Sequence, residues 1–264
     1  MRVSQIMTSP AITIDKDMSL ADAISLMEKH VISRLIAVKG GEIVGIITER
    51  DIARELGSTK SYRIPPGRMR VSSVMRANPI TVAPDIMAKR AAEIMLDNDI
   101  SGLPVVSGGK LQGIVTKMDF AKVCSSYEDI YVGHVMEPHP ITVSPTDRLI
   151  HARKILLDEG VVGLPVVEGG ELVGIVTIRD VAMRLADFQD VVPDRYKSER
   201  IRNLLVGDIM SRPTVTARTD DELSKVARIM LERRFSSLPV LNLKGEVVGL
   251  ITKTELTEIA RERL

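Results

Sequence analysis

A single register, recurring four times, limits this chain to repeat architectures. A Val-x-x-[Ile/Val]-Met segment opens at residues 3–7, 71–75, 132–136 and 206–210, and six residues after each Met stands Thr13, Thr81, Thr142 or Thr216. Apolar runs follow at 35–38, 103–106, 164–167 and 238–241. A Gly-apolar-apolar-Thr signature ends each copy, from Gly45 to Thr48, Gly113 to Thr116, Gly174 to Thr177 and Gly249 to Thr252. The two threonines are separated by 35 residues in three copies and 36 in the last. Chance does not hold such a spacing, and a fixed period means stacked copies of one supersecondary unit.

Each copy reads as strand, helix, hairpin, helix. Short strand-like segments surround the first threonine, as in Ile80-Thr81-Val82 and Ile141-Thr142-Val143. The first helix carries apolar residues at helical spacing, Leu20, Ala23, Ile24 and Met27 in one copy and Leu223, Val226, Ile229 and Met230 in another. Ser19 with Asp22, and Thr219 with Glu222, are predicted to cap it. Glycine pairs at Gly40-Gly41, Gly108-Gly109 and Gly169-Gly170 fit tight hairpins, which need positive φ. The fourth copy has Asn242-Leu243-Lys244-Gly245 instead, its one extra residue. The second helix should begin just after the closing Thr. A unit of roughly 55 residues buries little core alone, so the copies must pack together. Polar linkers at 57–68, with Pro65-Pro66-Gly67, and at 186–202, with Pro193, divide the chain into two modules, 1–125 and 126–264.

Composition narrows the function classes. A net charge of +1 argues against a broad field for nucleic acid or membrane. A single cysteine, Cys124, excludes an intrachain disulfide framework and fits a reducing compartment. No apolar stretch approaches a membrane span and no leader pattern opens the chain, so the expectation is a cytoplasmic protein. Aromatics are 3% of residues, with no Trp, against 13 Met. The core is therefore expected to be aliphatic, with the opening methionines as plugs rather than cofactor ligands.

At these residues the chain resembles the CBS-domain family, named for cystathionine beta-synthase. The shared marks are the Met-ending opening, Leu-Pro-Val-Val at Leu103 and Leu164, and Gly-apolar-[Ile/Val]-Thr-x-x-Asp. The resemblance covers nearly the whole chain. It implies an α/β fold (the α+β CBS type) of four β-α-β-β-α repeats, at about 1–57, 69–125, 126–186 and 203–264. It further implies pairing into two pseudo-twofold Bateman modules and a disc-like layout similar to the gamma subunit of AMP-activated kinase. Family members generally sense adenine nucleotides and control an enzyme, channel or transporter. The repeats use up the length, so the expectation is a regulatory, non-enzymatic protein acting on a separate, unidentified partner and possessing no required cofactor.

The candidate chemistry lies at Thr48-x-x-Asp51, Thr116-x-x-Asp119 and Thr177-x-x-Asp180. Two readings stand side by side. Thr-x-x-Asp at a helix start is a capping box. Alternatively, one carboxylate accepts both vicinal hydroxyls of a ribose, while threonine and the helix N-terminus face phosphate. The resemblance implies that each cleft is shared by paired repeats, setting Asp51 opposite Ile80, Asp119 opposite Ile12 and Asp180 opposite Val215. Arg34, at the position just before the family's Leu-Pro-Val run (here Leu35 to Val38), is the family-positioned phosphate ligand for the cleft with Thr116 and Asp119; the other copies carry Gly102, Gly163 and Ser237 there. Arg50, Lys117, Arg179 and Lys253 lie in the same segments and read as solvated charges that assist at most. The expected ligand is AMP, ADP or ATP. The fourth copy has Thr252-x-x-Glu255, whose longer acid predicts an empty or weak cleft facing Ile141.

Rival classes leave weaker traces. His134, His139, His151 and Cys124 match no zinc spacing. The hairpin glycines lack the Gly-Lys-[Ser/Thr] of a phosphate loop, and no nucleophile elbow is present. The basic stretch 63–70 reads as a solvated linker rather than a nucleic-acid contact. The remaining alternative is a ligand-free scaffold or oligomerisation protein, a homodimer included, whose Thr-x-x-Asp pairs are only caps.

Overall fold

The computed structural model describes residues 1–58, 64–212 and 214–264. Residues 59–63 of the predicted linker, Arg63 of the basic stretch among them, lie outside the described residues. In chain order, the first repeat contains β1 (Thr13–Asp15), α1 (Leu20–His30), β2 (Arg34–Lys39), β3 (Glu42–Thr48) and α2 (Glu49–Leu56). The second contains α3 (Val71–Val74), β4 (Arg76–Ala77), α4 (Ala88–Asp97), β5 (Gly102–Ser107), β6 (Lys110–Thr116) and α5 (Asp119–Cys124). The third contains α6 (Val132–Val135), β7 (Glu137–Pro138), α7 (Leu149–Asp158), β8 (Gly163–Glu168), β9 (Glu171–Thr177) and α8 (Ile178–Val191), with α9 (Asp194–Arg200) following. The fourth contains β10 (Ala217–Arg218), α10 (Leu223–Arg233), β11 (Ser237–Leu241), β12 (Val247–Thr252) and α11 (Lys253–Arg263). This is the mixed α/β repeat that the spacing predicts.

Each hairpin keeps one register. Arg34 pairs with Thr48, Gly102 with Thr116, Gly163 with Thr177 and Ser237 with Thr252. Gly40 and Gly41 turn the first hairpin at φ of 59° and 87°, the left-handed region that a two-residue turn demands. The first strand is less uniform than expected. β1 and β10 run parallel to β2 and β11, but the second and third repeats keep only single parallel bridges, Val82 to Val105 and Val143 to Val166. The cause is proline. In the first repeat the Lys16 amide donates to Val38 O at 3.0 Å; the equivalent residues Pro84 and Pro145 have no N–H to extend the ladder.

The openings are exchanged between consecutive repeats. The Val71 amide donates to Met18 O at 2.9 Å, and Leu20, first in α1, donates to Met69 O at 2.8 Å. Reciprocally, the Val3 amide donates to Ile86 O at 2.9 Å and Ala88, first in α4, to Met1 O at 3.0 Å. Repeats three and four repeat the exchange, with Leu149 to Leu204 O and Leu223 to Ile130 O, both at 2.8 Å. These foreign carbonyls take up amides that a helix start otherwise leaves unpaired. Ser19 adds the predicted capping box with Asp22. The one predicted for Thr219 and Glu222 does not form: Glu222 is itself the N-cap of α10, and Ile130 O supplies the acceptor.

The opening methionine plugs the same exchange. A Cβ on Gly45 would lie 2.5 Å from Met75 Sδ and 2.9 Å from Arg76 O. On Gly113 it would lie 2.6 Å from Thr8 O and 3.2 Å from Met7 Sδ. Gly174 meets Met210 and Gly249 meets Met136 in the same way. The glycine of each closing signature is thus the floor on which another repeat's methionine rests.

Residues cluster into two compact units, each discontinuous in sequence: 1–11, 79–140 and 215–264, and 12–78 with 141–214. Each has its own core. In the first, Val3, Met95, Leu103, Phe120, Leu223 and Met230 are buried together; in the second, Leu20, Met27, Leu35, Leu149, Leu164 and Met210. The cores are mainly aliphatic and thioether, as composition predicts, but each also buries one phenylalanine, Phe120 or Phe188; each fully buried Leu contributes about 2 kcal/mol of burial. Within the second unit α2 packs on α8, and within the first α11 packs on α4 and α5. Among the described residues no helix is long and apolar enough to cross a membrane.

Gly113→Ala should cost about 2 kcal/mol, because its Cβ meets a backbone oxygen that cannot step aside. Gly174→Ala, which meets only the flexible Met210 side chain, should cost less. Equal melting-temperature losses for the two variants would show that the methionine, not the exchanged backbone, sets the clearance.

Candidate functional site

The closing Thr ends a hairpin strand and starts a helix, so chain geometry places its acid within reach of its own N-cap. In the first repeat the Thr48 amide and hydroxyl donate to Asp51 Oδ2 at 3.1 and 2.6 Å, while the Asp51 amide donates back to Thr48 Oγ1 at 3.2 Å. Asp180 Oδ2 accepts from the Thr177 amide and hydroxyl at 2.7 and 2.6 Å. Asp119 Oδ2 accepts both Thr116 donors at 2.8 Å, although α5 starts three residues after its threonine, at Asp119 itself. The fourth head differs. The Thr252 amide donates to Glu255 Oε2 at 2.7 Å, and within this capping box Thr252 Oγ1 also accepts from the Thr254 amide at 3.0 Å.

The second carboxylate oxygen separates the heads. Asp51 Oδ1 accepts from Arg76 Nε at 3.0 Å and from Arg54 at 3.3 Å. Asp119 Oδ1 accepts from Lys122 Nζ at 2.6 Å and from the Thr8 hydroxyl at 3.5 Å. Among the described residues Asp180 Oδ1 has no hydrogen-bond partner. Burial pushes the Asp180 carboxyl above its ordinary range, only partly opposed by the Thr177 bonds and by Arg179. Glu255 is also raised, first by burial and further by Glu258.

Arg76, Arg54, Thr8 and Lys122 were not singled out from the sequence. A signal exists: the residue after each opening Met pairs two positions before each closing Thr. Arg76 faces Ile46, Thr8 faces Ile114, Ser211 faces Ile175 and Glu137 faces Leu250. The exchange that carries it is a tertiary fact, which spacing along the chain does not reveal.

The other candidates fall as follows. Ile80 and Ile141 are exposed, while Ile12 and Val215 are partly buried against the cores of their own units. Arg34 is buried, opposite Thr48 on the hairpin, with its guanidinium donating to Ser33 Oγ at 3.0 Å. It belongs to the unit of residues 12–78, whereas Thr116 and Asp119, the pair expected to share its cleft, belong to the other.

Three of the supposed solvated charges are structural. Arg50 donates to Leu156 O, Gly160 O and Val161 O at 2.9, 2.8 and 3.2 Å, closing the C-terminal end of α7. Arg153 returns the service on α2, donating to Ala53 O and Arg54 O at 2.7 Å each. Arg179 pairs with buried Glu49 at 2.8 Å. Lys117 is buried and reaches Thr254 Oγ1 at 3.2 Å. Terminal carbonyls and buried acids need donors, and these cations supply them. Cys124 is buried with its thiol against Leu256 O and pushed up to about 12, outside the range of a reactive thiolate. Among the described residues no cluster of three His, Cys, Asp or Glu has the geometry to hold a metal ion.

The exchanged openings, the bulged hairpins and the Thr-x-x-acid helix starts define a tandem-repeat protein of small α/β units with an acid at each second helix head. The family model of the CBS domain matches residues 3–58, 71–126, 132–187 and 206–262, and the chain belongs to the CBS-domain family. It is similar to protein MJ1225 of Methanocaldococcus jannaschii, 26% identical over 261 residues that make up 93% of each chain. The crystal structure of MJ1225, put forward as an archaeal homolog of g-AMPK, aligns over 98% of this chain and 99% of its own with a TM-score of 0.86 at 25% identity. A conserved protein from Pyrococcus horikoshii aligns over 98% of this chain and all of its own, with a TM-score of 0.66 at 26% identity. Inosine-5'-monophosphate dehydrogenase of Korarchaeum cryptofilum is 42% identical over 44% of this chain but only 24% of that enzyme.

The raised Asp180 carboxyl gives a signed pH effect. Folding gathers a proton onto Asp180 between its unfolded and its raised folded titration, so stability falls as pH rises through that window. Asp180→Asn carries no such charge. Its melting temperature relative to the parent protein should therefore climb as pH rises from about 4, the ordinary carboxylate value, toward neutrality. A difference independent of pH would refute the assignment.

Proposed function

We propose that this protein is a regulatory sensor that binds adenine nucleotides at its Thr-x-x-Asp heads and signals to a separate partner. It is built as two modules, residues 1–125 and 126–264. Family membership supports this, as does likeness along nearly the whole chain to a protein put forward as a homolog of g-AMPK. Support for the module pairing comes from the exchange of openings between repeats one and two, and three and four.

The observation that carries the reading is the division of labour in each carboxylate. Oδ2 is locked into the cap, and Oδ1 accepts only from half-exposed side chains at Asp51 and Asp119 or from none at Asp180. An oxygen with two lone pairs, fixed in direction and within reach of mobile donors, suits the adjacent 2′ and 3′ hydroxyls of a ribose. A nucleotide held there favours whichever conformations of the protein bind it more tightly, and a partner that distinguishes those conformations reads the ligand. The cap itself favours a second reading, a scaffold in which these acids only start helices, since Asp51, Asp180 and Glu255 already sit in capping boxes.

Calorimetric titration with AMP, ADP and ATP separates the two. The sensor reading expects saturable heat, weaker for 2′-deoxyadenosine monophosphate, and loss of one binding step in Asp119→Ala. That variant also gives up both Thr116 bonds, costing about 1 kcal/mol, so its fold is checked by circular dichroism. Absence of heat for every adenosine ligand at high micromolar concentration leaves the scaffold standing.

A further inference from the structure

Resting on the nucleotide-binding reading, a comparison of the four heads reveals a charge series. We propose that two positions, the residue after each opening Met and the residue three beyond each head acid, set the charge of the ligand that each head accepts. At Asp51 these positions are Arg76 and Arg54, both bonded to the carboxylate. At Asp119 they are Thr8 and Lys122, again both bonded. At Asp180 they are Ser211 and Met183, and at Glu255 they are Glu137 and Glu258. Counting the head acid with its two positions, the formal charge falls from +1 to 0, −1 and −3.

The physics follows from which groups are fixed and which can turn. The ribose acceptor is common to the three Asp heads, so sugar recognition does not distinguish them. Arg76 and Arg54 are about half exposed, at 51% and 50%, on a carboxylate that is 4% exposed. When ribose hydroxyls take Oδ1, these guanidinium groups lose their acceptor and stand beside the ligand. A phosphate gives them a replacement with planar, bidentate geometry; an uncharged nucleoside gives them only water. The Asp119 head has one such cation, Lys122, and takes fewer phosphates. The Asp180 head has none at these two positions, its neighbour Arg179 being paired with buried Glu49, and it makes little distinction between adenosine and AMP. At Glu255, three carboxylates repel any phosphate. The series thus assigns a polyphosphate preference, a monophosphate preference and no preference by charge to the first three repeats, with the last head closed to anions.

The test exchanges the two positions between heads and reads adenosine, AMP and ATP by calorimetry, with Asp51→Ala and Asp180→Ala marking which step belongs to which head. Arg54→Met with Arg76→Ser should weaken AMP and ATP about tenfold relative to adenosine at the Asp51 step, where adenosine no longer displaces an ion pair. Ser211→Arg should strengthen AMP about tenfold at the Asp180 step, again without helping adenosine. Melting temperatures confirm that the variants fold, and the gain in Ser211→Arg cannot arise from unfolding. If the parent protein binds adenosine ligands but both variants shift adenosine and AMP equally, or shift neither, the charge series is wrong while the binding reading survives. If the parent protein gives no heat with any of the three, the binding reading falls and takes the series with it.

Discussion

The exchange of opening segments is the constraint from which the remaining structure follows. A helix start needs acceptors for its first amides, and a strand with a central glycine leaves a gap. Here both are supplied by another repeat: Met69 O accepts from Leu20 while Met75 lies over Gly45, and Met1 O accepts from Ala88 while Met7 lies over Gly113. No repeat completes its own core in isolation, because its Val and Met plug are spent elsewhere. That reciprocity explains why the small units occur in pairs, and why a backbone oxygen, rather than a side chain alone, fixes the clearance at Gly113.

A second layer of polar contacts ties repeats that are not consecutive. Arg50 donates to the carbonyls ending α7 and Arg153 to those ending α2, with Gln189 adding a bond to Leu56 O at 2.8 Å. Glu49 with Arg179, and Lys117 with Thr254, use the two positions between the closing Thr and the head acid. Those positions differ from copy to copy because each must match a specific neighbour. The four units are alike in backbone and individual in these residues, which gives each a single place in the chain.

The repeat, its element order and its aliphatic core were legible because they depend on periodicity and composition. The destination of the methionine plug was not, since spacing along the chain says that a plug exists and nothing about whose groove it fills. The shortened first strands were readable in principle from Pro84 and Pro145, each standing where a ladder amide is needed. The roles of Arg50, Lys117 and Arg179 were misjudged for a related reason: a cation near a motif looks solvated until the carbonyl or acid that faces it, more than a hundred residues away, is known. At the heads, the acid and threonine were found from their spacing, but Arg76 and Thr8 arrive through the exchanged opening and so escaped it.

In the proposed reading the same carboxylate caps a helix and accepts a ligand, and the first role would discipline the second. With Oδ2 held by the Thr amide and hydroxyl, the acid cannot rotate, so Oδ1 points where the backbone dictates and no ordering cost remains for a ligand to meet. A longer acid alters that arrangement. At Glu255 the capping box persists, and the Thr252 hydroxyl also accepts from the Thr254 amide. Where the acceptor is rigid, differences between heads must come from the groups around it. That places the variation in this protein on half-exposed arms such as Arg54, Arg76 and Lys122, which can change with little effect on the fold, while the Thr-x-x-Asp frame they surround is held by helix formation itself.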